Sequence, residues 1–128
     1  MIARVISGRE VAEKILSNDL RSRVEKLKDK NIVPKLVVIL VGEVKASASY
    51  VAQKEKFAGK AGIESEVRRF EDSISEQEIL SEVNQINSDS SIHGVIVQLP
   101  LPKHISVTKV LNSIDPSKDC LLYTSDAA

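Results

Sequence analysis

Apolar positions change period repeatedly along this chain, and each change marks an element. The first pattern is Leu16, Leu20, Val24 and Leu27, spaced by four, four and three residues, which is one face of a helix. Ser7 is a candidate N-cap, Glu10 follows at capping-box spacing, and Ile6 and Val11 stand where a hydrophobic staple would form. Asn31 and Pro34 end the pattern. Leu36–Val41 is then an unbroken Leu/Val/Ile run, the signature of a strand covered on both faces in a parallel sheet. After Gly42 a helix is expected from about Ser47 to Ala61, closed by Gly62. Glu64–Phe70 is a weaker strand whose only apolar residues are Val67 and Phe70, so it belongs near an edge. Ser75 and Glu78 repeat the capping box and Ile74 and Ile79 the staple, opening a helix with Ile79, Val83 and Ile86 on its inner face. Ile92–Val97 is a second buried strand, with Gly94 inside it. Val107, Val110, Leu111 and Ile114 make a short helical stripe that Asp115-Pro116 terminates.

Helix and strand therefore alternate along the whole chain. That order predicts an α/β fold: a three-layer αβα domain with a mainly parallel sheet and helices on both faces. Right-handed crossovers follow. In open α/β sheets ligands sit beyond the carboxyl ends of the strands, and Val41-Gly42 and Val97-Gln98 are two such ends.

Composition narrows the partners. Lys plus Arg total 18 and Asp plus Glu total 18 in 128 residues, so no net field points to nucleic acid or an anionic membrane. The basic cluster Arg21–Lys30 is interleaved with Glu25 and Asp29 and reads as a solvated helix face. The single cysteine, Cys120, excludes an intramolecular disulfide, and His93 and His104 are too few for a typical zinc site. No apolar run approaches the roughly 20 residues of a membrane span, and the first residues lack a signal-peptide core. The expected setting is reducing and cytoplasmic.

Candidate chemistry gathers at the two strand ends. Tyr50, Lys54, Phe57 and Ala61 recur at helical spacing and form one expected inward stripe. Lys54 either lays its stem on the core and sends its ammonium to water, or holds its amine in a cleft, where desolvation favours proton exchange near neutrality. Tyr50 is either a half-buried phenol with a satisfied hydroxyl or a flat ring against a planar heterocycle. Ser47 and Ser49 fit helix capping, the favoured reading, or an anion site at the helix start. Gln98 must find hydrogen-bond partners at the end of a buried strand, either in neighbouring backbone or in a ligand. Pro100 and Pro102 donate no backbone bonds, so the sheet ladder stops there and leaves room for something other than protein. His104 belongs to the turn before Ser106 caps the next helix.

Taken in order, Val41-Gly42, Ala46-Ser47, Tyr50-Val51 and Lys54, then Ala61-Gly62-Ile63, then Gly94 and Ile96-Val97-Gln98-Leu99-Pro100-Leu101-Pro102 with His104-Ile105, then Ile114-Asp115-Pro116 and Lys118-Asp119, closely resemble one family. It is the bifunctional methylenetetrahydrofolate dehydrogenase/methenyltetrahydrofolate cyclohydrolase family, and the likeness runs from Met1 to Asp119. The resemblance implies one-carbon folate metabolism: NADP-dependent oxidation of 5,10-methylenetetrahydrofolate to the methenyl form, then hydrolysis to 10-formyltetrahydrofolate. It implies a homodimer in which a folate-side domain faces a Rossmann-type dinucleotide domain. It also implies that Lys54 is the catalytic amine, that Tyr50 stacks on the pterin, that Gln98 bonds near Lys54, and that Val97, Leu99 and Pro100 line the folate slot.

The pattern departs from the family after Asp119. The family continues Val-Asp-Gly; this chain reads Cys120-Leu121-Leu122-Tyr123. Leu121 stands where an acidic folate contact would fall, and a leucine cannot accept hydrogen bonds from the pterin. No glycine follows Gly94, so the phosphate-cradling loop of a dinucleotide domain is not in this sequence. Residues 1–119 are therefore expected to form the folate-side catalytic domain without its Rossmann partner, and 120–128 a divergent, non-native tail. This stretch alone is expected to be inactive, or nearly so, as a dehydrogenase. The contrasting reading is a non-catalytic α/β binding or interaction module, such as a signal-receiver domain. Such domains usually carry paired acidic residues at the first strand end, where Val41-Gly42-Glu43 offers one.

Overall fold

The structure, a computed structural model, describes residues 2–121. Of the expected tail, residues 122–128 lie outside the described residues. Three parallel strands, β1 (Lys35–Val41), β2 (Glu64–Phe70) and β3 (Gly94–Val97), stand in the order β2-β1-β3. β1 is central, and its run Val37–Val41 is buried on both faces. It pairs with β2 from Lys35↔Glu64 to Val41↔Phe70 and with β3 from Leu36↔Gly94 to Ile39↔Val97. The polar β2 takes an edge, as its two apolar residues foretell.

Strand alternation splits the core. Val37, Ile39 and Val41 point to one face, where α4 (Glu76–Ser88) supplies Ile79, Val83 and Ile86 and α5 (Val107–Ser113) supplies Val110. Val38 and Leu40 point to the other, against Val51 of α3 (Lys45–Ala61). Burying each such side chain contributes roughly 1.5–3 kcal/mol. The expected three layers are thus present. Among the described residues no helix is long and apolar enough to cross a membrane.

The first helical region runs as α1 (Gly8–Lys14), a π-helical stretch (Ile15–Leu20) and α2 (Arg21–Lys28). Ser7 caps it by accepting from the Glu10 N–H at 3.4 Å. The expected Ile6–Val11 staple is not a covered contact: Ile6 is 80% exposed. No residue of α1 is buried, so a staple there has no core to close against. Asn31 turns the chain after α2 with φ of 60°. Its N–H donates to the Lys28 carbonyl and that of Ile32 to the Leu27 carbonyl, both at 2.9 Å, the two bonds of a Schellman ending. Gly62 ends α3 in the same way.

The segment after α5 returns to the sheet. Lys118 donates to the Ile86 and Asp89 carbonyls at the end of α4, and Asn87 of α4 bonds the Ser113 carbonyl and the Asp115 N–H. So anchored, the Lys118 carbonyl accepts the Val95 N–H at 2.8 Å and Asp119 forms a parallel bridge with Val95. Gly94 permits this approach, since a Cβ there would lie 2.6 Å from the Cys120 sulfur.

Candidate functional site

The carboxyl ends of β1 and β3 and the first turns of α3 meet at one edge. The ladder between β3 and β1 makes its last bond from the Gln98 N–H to the Ile39 carbonyl at 2.9 Å, which fixes the Gln98 backbone before the Leu-Pro-Leu-Pro segment leaves the sheet. From α3, the Lys54 ammonium donates to Gln98 Oε1 at 2.8 Å. The Gln98 amide nitrogen donates in turn to the Leu99 carbonyl at 3.3 Å. Gln98 therefore has one end on neighbouring backbone, the first of its two sequence readings, and the other on Lys54, the bond that the resemblance implies.

Lys54 reaches this point because it lies on the buried stripe of α3. That stripe is Ser47, Val51, Ala58 and Ala61, and position 54 falls on its line at spacings of four, three, four and three. The expected inward stripe through Tyr50 and Phe57 is thus corrected by one residue, to Val51 and Ala58, about 100° around the helix at those positions. Small residues let the helix axis approach the sheet, and the aromatic rings are displaced to the flank. Tyr50 is 62% exposed, with its ring centroid 5.9 Å from the Lys54 ammonium. A phenol ring so placed forms an open platform beside a half-buried cation.

The other expected residues divide. Leu99 is 44% exposed and Pro100 is exposed, so both present surface at this edge. Val97 does not: it is 4% exposed and packs in the core that contains Ile105 and Val110. Alternation turns its side chain to the sheet face opposite Gln98. The expected capping by Ser47 and Ser49 is also corrected. The N-cap of α3 is Val44, with no side-chain cap. Ser47 instead sits inside the first turn, buried, and donates to the Leu99 carbonyl at 3.3 Å. Composition could not reveal that contact, because its partner lies 52 residues away. The one available signal was the i−7 spacing of Ser47 from Lys54.

Gly42 closes β1 with φ of 79°, and a Cβ there would run into the Asp72 carboxylate. His104, expected in the turn before α5, places Nε2 at 2.7 Å from the Ile74 carbonyl. Ser106 caps α5 as expected, while its own N–H donates to Glu76 Oε2 at 2.7 Å. That bond is the main cause holding the Glu76 carboxyl below the ordinary carboxylate range. Burial pushes the Cys120 thiol up, which disfavours the thiolate. Among the described residues no group of three His, Cys, Asp or Glu side chains could hold a metal ion.

An amine held by an amide, beside an open aromatic ring, lies at the strand ends of a parallel sheet, the edge where open α/β domains take their ligands. The chain itself matches the family described as tetrahydrofolate dehydrogenase/cyclohydrolase, catalytic domain, over residues 6–120. It belongs to that family. A bifunctional protein FolD of Enterococcus faecalis is 48% identical over 118 residues, which is 92% of this chain and 42% of that protein. The crystal structure of the bifunctional FolD dehydrogenase/cyclohydrolase of Campylobacter jejuni superposes with a TM-score of 0.85 at 42% identity, covering 88% of this chain and 39% of that one. A Trypanosoma brucei relative, solved with NADP cofactor and an inhibitor, gives 0.84 at 34% identity, covering 91% and 40%. This chain thus spans about two fifths of its relatives' length.

Proposed function

We propose that this chain is the folate-side catalytic part of a methylenetetrahydrofolate dehydrogenase/methenyltetrahydrofolate cyclohydrolase, with residues 1–119 as its domain and 120–128 as a divergent tail. The observation that carries the reading is the Lys54–Gln98 bond of 2.8 Å at the strand ends, in a chain whose family match spans residues 6–120. In this reading Tyr50 stacks on the pterin, and Leu99 and Pro100 border it. Val97 supports the slot from the core. Gln98 holds Lys54 in place. Lys54 assists proton transfer as water adds to the methenyl carbon and the ring opens to the 10-formyl form. NADP, held by a part of the protein outside this sequence, would be the hydride acceptor of the dehydrogenase step. The residues present do not fit that cofactor, because no glycine follows Gly94 to cradle its phosphates. The Rossmann-type domain that would hold it is therefore proposed for a further part of the protein, in a homodimer working in the cytoplasm.

The test joins residues 1–119 to the remaining portion of the Enterococcus faecalis relative and assays both reactions. The expected result is cyclohydrolase and dehydrogenase activity in the chimera. Lys54→Ala is expected to lower cyclohydrolase turnover by about 100-fold or more, the usual scale for a proton-transfer group, with folding retained. Full activity in the Lys54→Ala chimera contradicts the assignment. A folded but inert chimera favours the binding-module reading.

A further inference from the structure

Ser47 is a buried polar side chain that the proposed chemistry does not use. It is 3% exposed, and its hydroxyl spends its donor on the Leu99 carbonyl at 3.3 Å. The same oxygen accepts the Gln98 amide nitrogen at 3.3 Å. A carbonyl oxygen has two lone pairs, so these two donors fill it. The consequence falls on Gln98. An amide whose NH2 is held on one side must turn its oxygen to the other, and there that oxygen receives the Lys54 ammonium at 2.8 Å. A reversed amide would set NH2 against ammonium, donor against donor.

We propose that Ser47 is a positioning residue: by holding the Leu99 carbonyl in place, it fixes the Gln98 amide with its oxygen toward Lys54. Ser47 does not touch the ligand; it acts through Leu99 and Gln98 on the direction of the Lys54 ammonium. Position 47 reaches the loop because the first turn of α3 lies on the buried stripe, where a serine is small enough to let helix and loop approach. The functional consequence rests on the reading of Lys54 as the catalytic amine. The geometric part does not.

The experiment uses the 128-residue chain labelled with 15N. Hydrogen exchange is followed at the Gln98 side-chain amide and, as a control on the fold, at the backbone of Ile39 and Val97. In Ser47→Ala the Gln98 side-chain protons are expected to exchange about fivefold faster, the scale of one hydrogen bond, while Ile39 and Val97 keep their rates. Ser47→Thr, which keeps the hydroxyl, is expected to restore the slow exchange. Unchanged Gln98 exchange in Ser47→Ala overturns the proposal. If Ser47→Ala loosens the fold and the control amides speed up as well, Ser47→Cys decides: intermediate Gln98 exchange with steady controls supports the proposal, and wild-type exchange overturns it. Binding of 5-formyltetrahydrofolate separates the two readings. Binding that weakens about fivefold in Ser47→Ala, and no further in Ser47→Ala/Lys54→Ala than in Lys54→Ala alone, supports both. If the wild-type chain binds no folate, the functional reading fails and the Gln98 exchange rates still decide the role of Ser47.

Discussion

Gly42 shows how a single residue shapes this edge of the molecule. Its φ of 79° lies where a side chain is strained, and Asp72 occupies the space a Cβ would need. Gly42→Ala is expected to destabilise the fold by about 1–2 kcal/mol from the backbone alone, read as a lower urea midpoint. Adding Asp72→Ala should relieve only the steric part, so full recovery in the double variant would show that the backbone carries no strain. Leu121 poses the opposite question, of a group the site lacks. It stands where the family resemblance implies an acidic folate contact. Leu121→Asp is expected to tighten reduced-folate binding by about tenfold, the scale of a hydrogen bond to a charged group; unchanged affinity would remove position 121 from the site. Lys54, Tyr50 and Gln98 were all legible as chemistry-bearing residues because each is a polar side chain placed against an apolar run. Ser47 was not. A serine in a first helical turn looks like a cap, and only the fold shows that its partner is a carbonyl on another element.

Among the elements, every strand and helix center was written in the apolar spacing, and the misses have physical causes. The inward stripe of α3 lies one residue from the Tyr50–Phe57 line, because those bulky rings dominate the hydropathy pattern. The helix in fact docks on Ser47, Val51, Ala58 and Ala61, whose small size carries little hydropathy but permits close approach. The π-helical stretch Ile15–Leu20 was invisible because a change of hydrogen-bond register leaves the apolar spacing nearly intact. The cap of α4 was fully legible: Ser75 accepts from the Glu78 N–H, and the Glu78 carboxylate accepts from the Ser75 N–H. Ser75→Ala is expected to cost about 1 kcal/mol, measured by thermal or urea unfolding. The same helix predicts a pH dependence. The Ser75 N–H and hydroxyl hold Glu78 below the usual carboxylate range, and the Ser106 N–H does the same for Glu76. A depressed carboxyl lends stability that is fully present above the ordinary value of about 4.5 and is lost as pH falls through the lower folded value. Glu78→Gln should therefore flatten the loss of stability below about pH 4.5; an unaltered acid limb would place the acid sensitivity elsewhere.

At the scale of the whole molecule, the described residues leave apolar surface uncovered at the N-terminal side, where Ile2, Val5 and Ile6 are almost fully exposed and Val11 and Ile15 are half-exposed. Exposed apolar side chains in this number favour association. Light scattering of the chain is expected to show species larger than a monomer, growing with concentration; a clean monomer would mean that these side chains cover one another in solution. The sequence foretold three layers, because helix and strand alternate, and it marked Gly42 and Gln98 as ends of apolar runs, which the parallel pairing of β1 and β3 brings to one edge. It could not order the strands, since no spacing rule says which runs become neighbours. The account stands on the amine–amide pair at that edge being the place where a folate settles. The most direct measurement is an NMR titration of the 15N-labelled chain with 5,10-methenyltetrahydrofolate. The predicted result is saturable shifts at Tyr50, Lys54, Gln98 and Leu99, abolished in Lys54→Ala while the Ile39 and Val83 amides stay native. Shifts confined to the surface between α1 and α3, or none at all from a folded chain, would contradict it.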